Sequence, residues 1–225
     1  MQYTFRYRFN HQRAQDSLNM KRLSAVIPVL SALILLTFFS CKETEEFDDH
    51  ANWKSRNQEY ISKIASAYSS AVPQNPAKGD RFRILSYRMD PEKSWGNSFF
   101  VFCEVIESGT GTESPVFTDS VRFNYRVRLI PTDYYPDGQV VDQSFKTANL
   151  DPSVNIPSSF SVSGVIEGVT TALMRMHCGD YWRLYIPYSM GYGTSGRGTI
   201  PGYSTLIFEI NLTELAHAGH DLSPR

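Results

Sequence analysis

"SVRFNYRVRLI", from Ser120 to Ile130, alternates with a period of two: Val121, Phe123, Tyr125, Val127 and Leu129 are apolar or aromatic, and Arg122, Asn124, Arg126 and Arg128 are polar. Successive side chains of a strand point to opposite faces, so the stretch predicts a strand with one buried and one wet face, which marks an antiparallel sheet. Four other runs, "RFRILSYR" from Arg81, "FFVFCEVIE" from Phe99, "DYWRLYIPY" from Asp180 and "STLIFEINL" from Ser204, are rich in the β-branched and aromatic residues of strands. After the third of these five strands, "GVIEGVTTALMRM" puts Val165, Ile166, Val169, Leu173 and Met176 on one helical face. Several strands and one central helix predict an α+β domain with the helix laid across the sheet.

The chain has 225 residues, 41% of them hydrophobic, which suits one domain with appendages rather than two full ones. Leu23 to Phe39 is an apolar run behind Lys21 and Arg22, broken by Pro28 and short of the roughly 20 residues of a spanning helix, so it reads as an export signal. Met20 is the more natural start of that signal, with the first 19 residues an overlong extension. The run ends in "LTFFSC", which resembles the acylation site of bacterial lipoproteins, although Phe38 stands where leucine is usual. That resemblance implies lipid attachment at Cys41 and a location in the cell envelope, at the outer membrane, in the periplasm or at the surface. An uncleaved anchor is the alternative.

Beyond Cys41 the chain keeps 17 basic and 22 acidic side chains, a net charge of −5 that argues against nucleic acid as a partner. "CKETEEFDD", Cys41 to Asp49, is an acidic tether; it is similar to the sorting segment of some surface lipoproteins and equally to a solvated linker. From Asp48 to Ala71, residues Trp53, Tyr60, Ile61, Ile64, Ala65 and Tyr68 follow the one-sided spacing of an amphipathic helix, with Asp48 and Asp49 suited to its positive end and Pro73 ending it. Such a stripe usually packs on its own domain; a dimer seam or a docking face is the alternative. The organisation expected is a signal segment over 1–41, tether, helix and linker or strand over 42–98, the sheet domain over 99–215, and a tail over 216–225.

Cys103 and Cys178 could pair in an oxidising compartment or remain buried thiols. Motifs for phosphate binding, serine hydrolysis and zinc proteolysis are absent from the sequence. His217 and His220 near the end, and His177, Cys178 and Asp180 in a turn, read as ordinary polar residues rather than metal ligands.

Five ordered blocks carry a resemblance. "VRFNYRVRL", "DGQVVDQSF", "GVIEGVTTAL", "GDYWRLYIPYSMGYG" and "IPGYSTLIFEI" are similar, in order and spacing, to the signature of FKBP-type peptidyl-prolyl isomerases over about Phe99 to Leu215. The resemblance implies a curved antiparallel sheet wrapped around a short helix, here preceded by an N-terminal helix. It also implies isomerisation of X-Pro bonds in polypeptide clients, without cofactor or metal. By motif position Tyr125, Asp142, Ile166, Tyr192 and Phe208 fall on the functional residues, Ile166 through its backbone N–H. Val141, Phe160, Val165, Val169 and Ile200 fall on the substrate pocket. Four departures stand out: Val169 replaces a floor tryptophan, Val141 a phenylalanine and Gln143 a serine, and the long loop has no histidine, with Arg197 lying nearby. They leave a non-catalytic peptide-binding or chaperone module as the alternative. The crossing from Tyr185 to Ile210 is far longer than the two to five residues of a hairpin loop, and the resemblance makes it the pocket rim, with Tyr192 at one end and Ile200 at the other.

Overall fold

The computed structural model describes residues 48–151 and 154–224. The export signal and Cys41 lie outside the described residues. Seven antiparallel strands form the sheet: β1 (Arg81–Leu85), β2 (Phe100–Glu107), β3 (Ser120–Arg128), β4 (Val140–Gln143), β5 (Ser158–Ser161), β6 (Tyr181–Ile186) and β7 (Leu206–Ala216). Their order across the sheet is β1-β2-β6-β7-β3-β4. Beyond β7, strand β3 is flanked in two halves: β5 pairs with Ser120 to Phe123 and β4 with Arg126 to Arg128. The five long runs are strands as expected. The short strands β4 and β5 carry too few apolar residues to stand out from their surroundings.

Register explains how alternating sequences make two different faces. One transverse row joins Phe82, Cys103, Leu184, Phe208 and Val127, all buried. Against this inner face lies α2 (Glu167–Leu173), whose residues from Gly168 onward are all buried. The helix comes so close at Gly168 that a Cβ there would stand 2.4 Å from Cγ2 of Ile186, a spacing no other residue type satisfies without displacement.

The next row carries charge of alternating sign: Arg81, Glu104, Arg183, Glu209 and Arg126, ending on Gln143. Arg81 meets Glu104 at 2.6 Å, Arg183 meets Glu104 at 3.3 Å and Glu209 at 2.9 Å, and Arg128 reaches Glu209 at 3.2 Å. The expectation that this outer face is wet fails at its centre. Asn124, Arg126 and Glu209 are buried. The cause is cover: Arg126 donates to the carbonyls of Thr147 and Ala148 and sits over the Phe145 ring, so the segment after β4 folds across β3.

Helix α1 (Trp53–Ser66) covers the other part of this outer face. Its Ile61 packs with Phe102, Tyr185 and Ile207, with Tyr60, Ile64, Ala65 and Tyr68 around them. The amphipathic stripe is therefore occupied by the chain's own sheet. The helix is shorter than its periodicity suggested, because the chain after Ser66 turns to pair Ser69 beside Phe82 before Pro73 is reached. Its start also differs. Asn52 caps it in a left-handed conformation, the first turn holds no acid, and the Asp49 carboxylate instead accepts a bond from Thr132 Oγ1 at 2.7 Å. From Asp49 onward the chain forms one compact unit, which includes α1 and β1.

Both remaining cysteines are free, Cys103 in the core and Cys178 half-buried. Burial pushes the Cys103 thiol far up, which makes it an inert core residue. Asp180 ties its turn by accepting from the backbone N–H groups of His177 and Gly109. His217 lies between Asp119 and Glu113, and both hold its pKa above the ordinary histidine value, the Glu113 bond first.

Candidate functional site

A cleft of about 750 Å³ opens on the inner face between β3, the start of α2 and the long crossing from β6 to β7. Tyr125, Val141, Asp142, Phe160, Val165, Ile166, Val169, Tyr192, Ile200 and Phe208 all line it. These ten residues come from six separate segments. Their convergence follows from register: Phe160 pairs with Val121, Tyr125 with Ile210, and Val127 with both Phe208 and Asp142, so inward positions of four strands point into one space.

The wall is aromatic. Phe123 and Phe160 stack with centroids 4.5 Å apart, and Tyr125 lies 5.8 Å from Phe208 and 5.9 Å from Phe160. Val169, 1% exposed, forms the floor from the first turns of α2. The Tyr125 hydroxyl donates to Asp142 at 3.1 Å. Burial first, then the negative charge of Asp142, pushes the Tyr125 phenol up to about 12, so it stays a donor at any physiological pH. Ser144, just past β4, fixes the backbone of Tyr125 by accepting its N–H at 2.8 Å.

At the mouth, the Ile166 N–H is donated to no group among the described residues, while its carbonyl starts α2 by accepting from Val169 and Thr170. The rim is stitched from backbone bonds: Gly196 to Tyr192, Gly193 to Tyr188 and Tyr203 to Gly193. Helix α1 holds its root. Trp53 Nε1 donates to Ser204 Oγ at 2.8 Å, and the Asn57 carboxamide accepts the Thr205 N–H at 2.6 Å.

Phe123 and Val127 also line the cleft. The period-two pattern had placed both on the inward face, and only their proximity to the cleft needed the structure. Ser144 and Ser204 fall inside the quoted motif blocks and Asn57 on the N-terminal helix, but the bonds they make join groups distant in sequence and were not readable from it. A second cleft of about 730 Å³ lies on the outer face, floored by Arg126, Arg128, Arg183 and Glu209. Its charges are largely engaged with one another, and its lining is more charged than that of the inner cleft.

The sheet wrapped on a short helix, and the aromatic cleft between them, place this chain in a known class: it belongs to the FKBP-type peptidyl-prolyl cis-trans isomerase family, whose profile matches residues 111–213. Individual relatives agree. The macrophage infectivity potentiator of Trypanosoma cruzi is 37% identical over 115 residues, 51% of this chain and 52% of that protein. The FKBP-type 22 kDa peptidyl-prolyl cis-trans isomerase of Escherichia coli is 40% identical over 112 residues, 49% of this chain and 48% of its own length. The FKBP-type isomerase FkpA of Escherichia coli is 30% identical over 217 residues, 95% of this chain and 72% of that protein. The chain spans about half the length of the first two.

Proposed function

We propose that this protein is a lipid-anchored peptidyl-prolyl cis-trans isomerase acting on proline-containing segments of exported or envelope proteins. The observation that carries the reading is the convergence of ten motif residues on one aromatic cleft with hydrogen-bond donors at its mouth. Rotation about an X-Pro bond meets a barrier of about 20 kcal/mol because the planar amide is resonance-stabilised. The half-turned amide has lost that resonance and has a less polar carbonyl. A dry apolar cup therefore favours it over the planar form, with no proton transfer or nucleophile. In this scheme the prolyl ring rests on Val169 against Tyr125 and Phe208. The Ile166 N–H and the Tyr192 hydroxyl hold flanking carbonyls, and Asp142 orients Tyr125. The lipid anchor rests on the lipoprotein-like segment ending at Cys41. An envelope location agrees with relatives such as the outer membrane protein MIP of Legionella longbeachae, which is 31% identical over 162 residues.

The test is an exchange measurement by NMR on an Ala-Pro peptide with the purified protein. Acceleration is expected, with Tyr192→Ala lowering kcat/KM by about tenfold for loss of one donor and part of the rim. No acceleration by the wild-type protein removes the isomerase reading. A second reading, a non-catalytic module that only holds clients, is favoured by the valines at 141 and 169, which leave the cleft wide. An inactive wild type made active by Val169→Trp would decide for it.

A further inference from the structure

We propose that Arg197 makes the cleft selective for prolyl bonds flanked by an acidic residue, so that the preferred client segment carries Asp or Glu next to its proline. This inference rests on the isomerase reading above and names the substrate class of that site.

Arg197 is held at the rim by backbone. Its N–H donates to the Ile200 carbonyl at 2.9 Å and its carbonyl accepts the Ile200 N–H at 3.0 Å, closing a two-residue turn. Gly198 takes the first central position of that turn with φ 58, a conformation that favours glycine. The guanidinium carbon lies 5.7 Å from the centroid of the Tyr192 ring, so the cation rests against the opposite end of the crossing. The side chain makes no hydrogen bond or ion pair among the described residues. Of the described residues lining the cleft, the other charged one is Asp142, whose carboxylate already accepts the Tyr125 hydroxyl. The mouth thus presents one committed anion and one uncommitted cation.

A residue adjacent to the proline lies about 3.8 Å along the chain. Arg197 lines the same cleft as Tyr125 and Phe208, so with the prolyl ring against those two rings the neighbouring client residue comes within reach of the guanidinium. A carboxylate there pairs with the guanidinium, and an ammonium is repelled. Arg197 is exposed, so the gain is limited to about fivefold in kcat/KM, the upper end for solvated ion pairs. The direction is diagnostic, because the chain beyond Cys41 carries a net charge of −5 and by long-range field alone would disfavour acidic clients.

The experiment compares matched peptides with Ala, Glu or Lys immediately before proline, and a second set with the same residues immediately after it, by NMR exchange at low salt. The expected result is that Glu exceeds Lys by about threefold to fivefold at one flank. The difference should shrink in high salt, persist in Arg197→Lys and reverse in Arg197→Glu. Turnover of the Ala peptides with equal Glu and Lys rates at both flanks overturns this inference and leaves the isomerase reading intact. Absence of turnover with every peptide instead overturns the isomerase reading. A Glu preference that survives unchanged in Arg197→Glu assigns it elsewhere and also overturns the role of Arg197.

Discussion

Gly168 shows how one residue sets the depth of the cleft. It allows α2 to lie directly on Ile186, and Ile166 and Val169 flank it within the mouth and floor. A methyl group at 168 must push against Cγ2 of a β-branched side chain that cannot swing away. Gly168→Ala is therefore expected to destabilise the fold by about 2 kcal/mol, within the usual range for overpacking, despite the better helix propensity of alanine. The midpoint of chemical denaturation measures this, and a stability equal to or above wild type contradicts the contact. Tyr125 is the complementary case. Its inward position was evident from the alternation, but the Asp142 carboxylate that accepts its hydroxyl and the Ser144 bond that locks its backbone were visible only once β3 and β4 were paired.

At the scale of elements, the charge row across β1, β2, β6, β7 and β3 has a definite pH signature. Burial acts to raise the Glu209 pKa, but bonds from Arg183 and the charges of Arg128 and Arg183 outweigh it and hold the carboxyl below its ordinary value. A depressed folded-state pKa adds stability that is fully present above the unfolded value of about 4.3 and is lost as pH falls through the lower folded value. Glu209→Gln is expected to remove that dependence and to destabilise the protein at neutral pH by about 3 kcal/mol, since Arg126 and Arg183 lose their buried partner. Denaturation of both proteins between pH 3 and 7 should show the gap closing in acid, and a constant gap rules the coupling out. Helix α1 works at the same scale. Through Trp53, Asn57 and Ser204 it ties the root of the rim to the outer side of the sheet, which gives an appended helix a part in shaping the cleft.

For the molecule as a whole, the sheet is covered on both sides, by α2 within and by α1 and the segment after β4 without. The alternative use of the α1 stripe as a dimer seam would need the same Ile61 and Ile64 side chains that already contact Phe102, Tyr185 and Ile207. A monomeric mass in light scattering of the purified protein is expected. A stable dimer that disappears on Ile61→Glu, without loss of fold, would require the helix to leave its own sheet.

The sequence by itself determined the five long strands, the inward set of β3 and the central helix, because periodicity is local and survives in a linear reading, and its ordered motifs named ten of the residues that line the cleft. It did not determine which wet-looking residues are buried. Arg126 and Glu209 look like solvent-facing charges until the segment after β4 folds over them and the neighbouring strands align their opposite signs. Nor could it show that α1 clamps the rim, or that Arg197 stands uncommitted at the mouth. Those depend on long-range pairing, where the identity of a partner is fixed by the closing of the sheet and not by spacing along the chain.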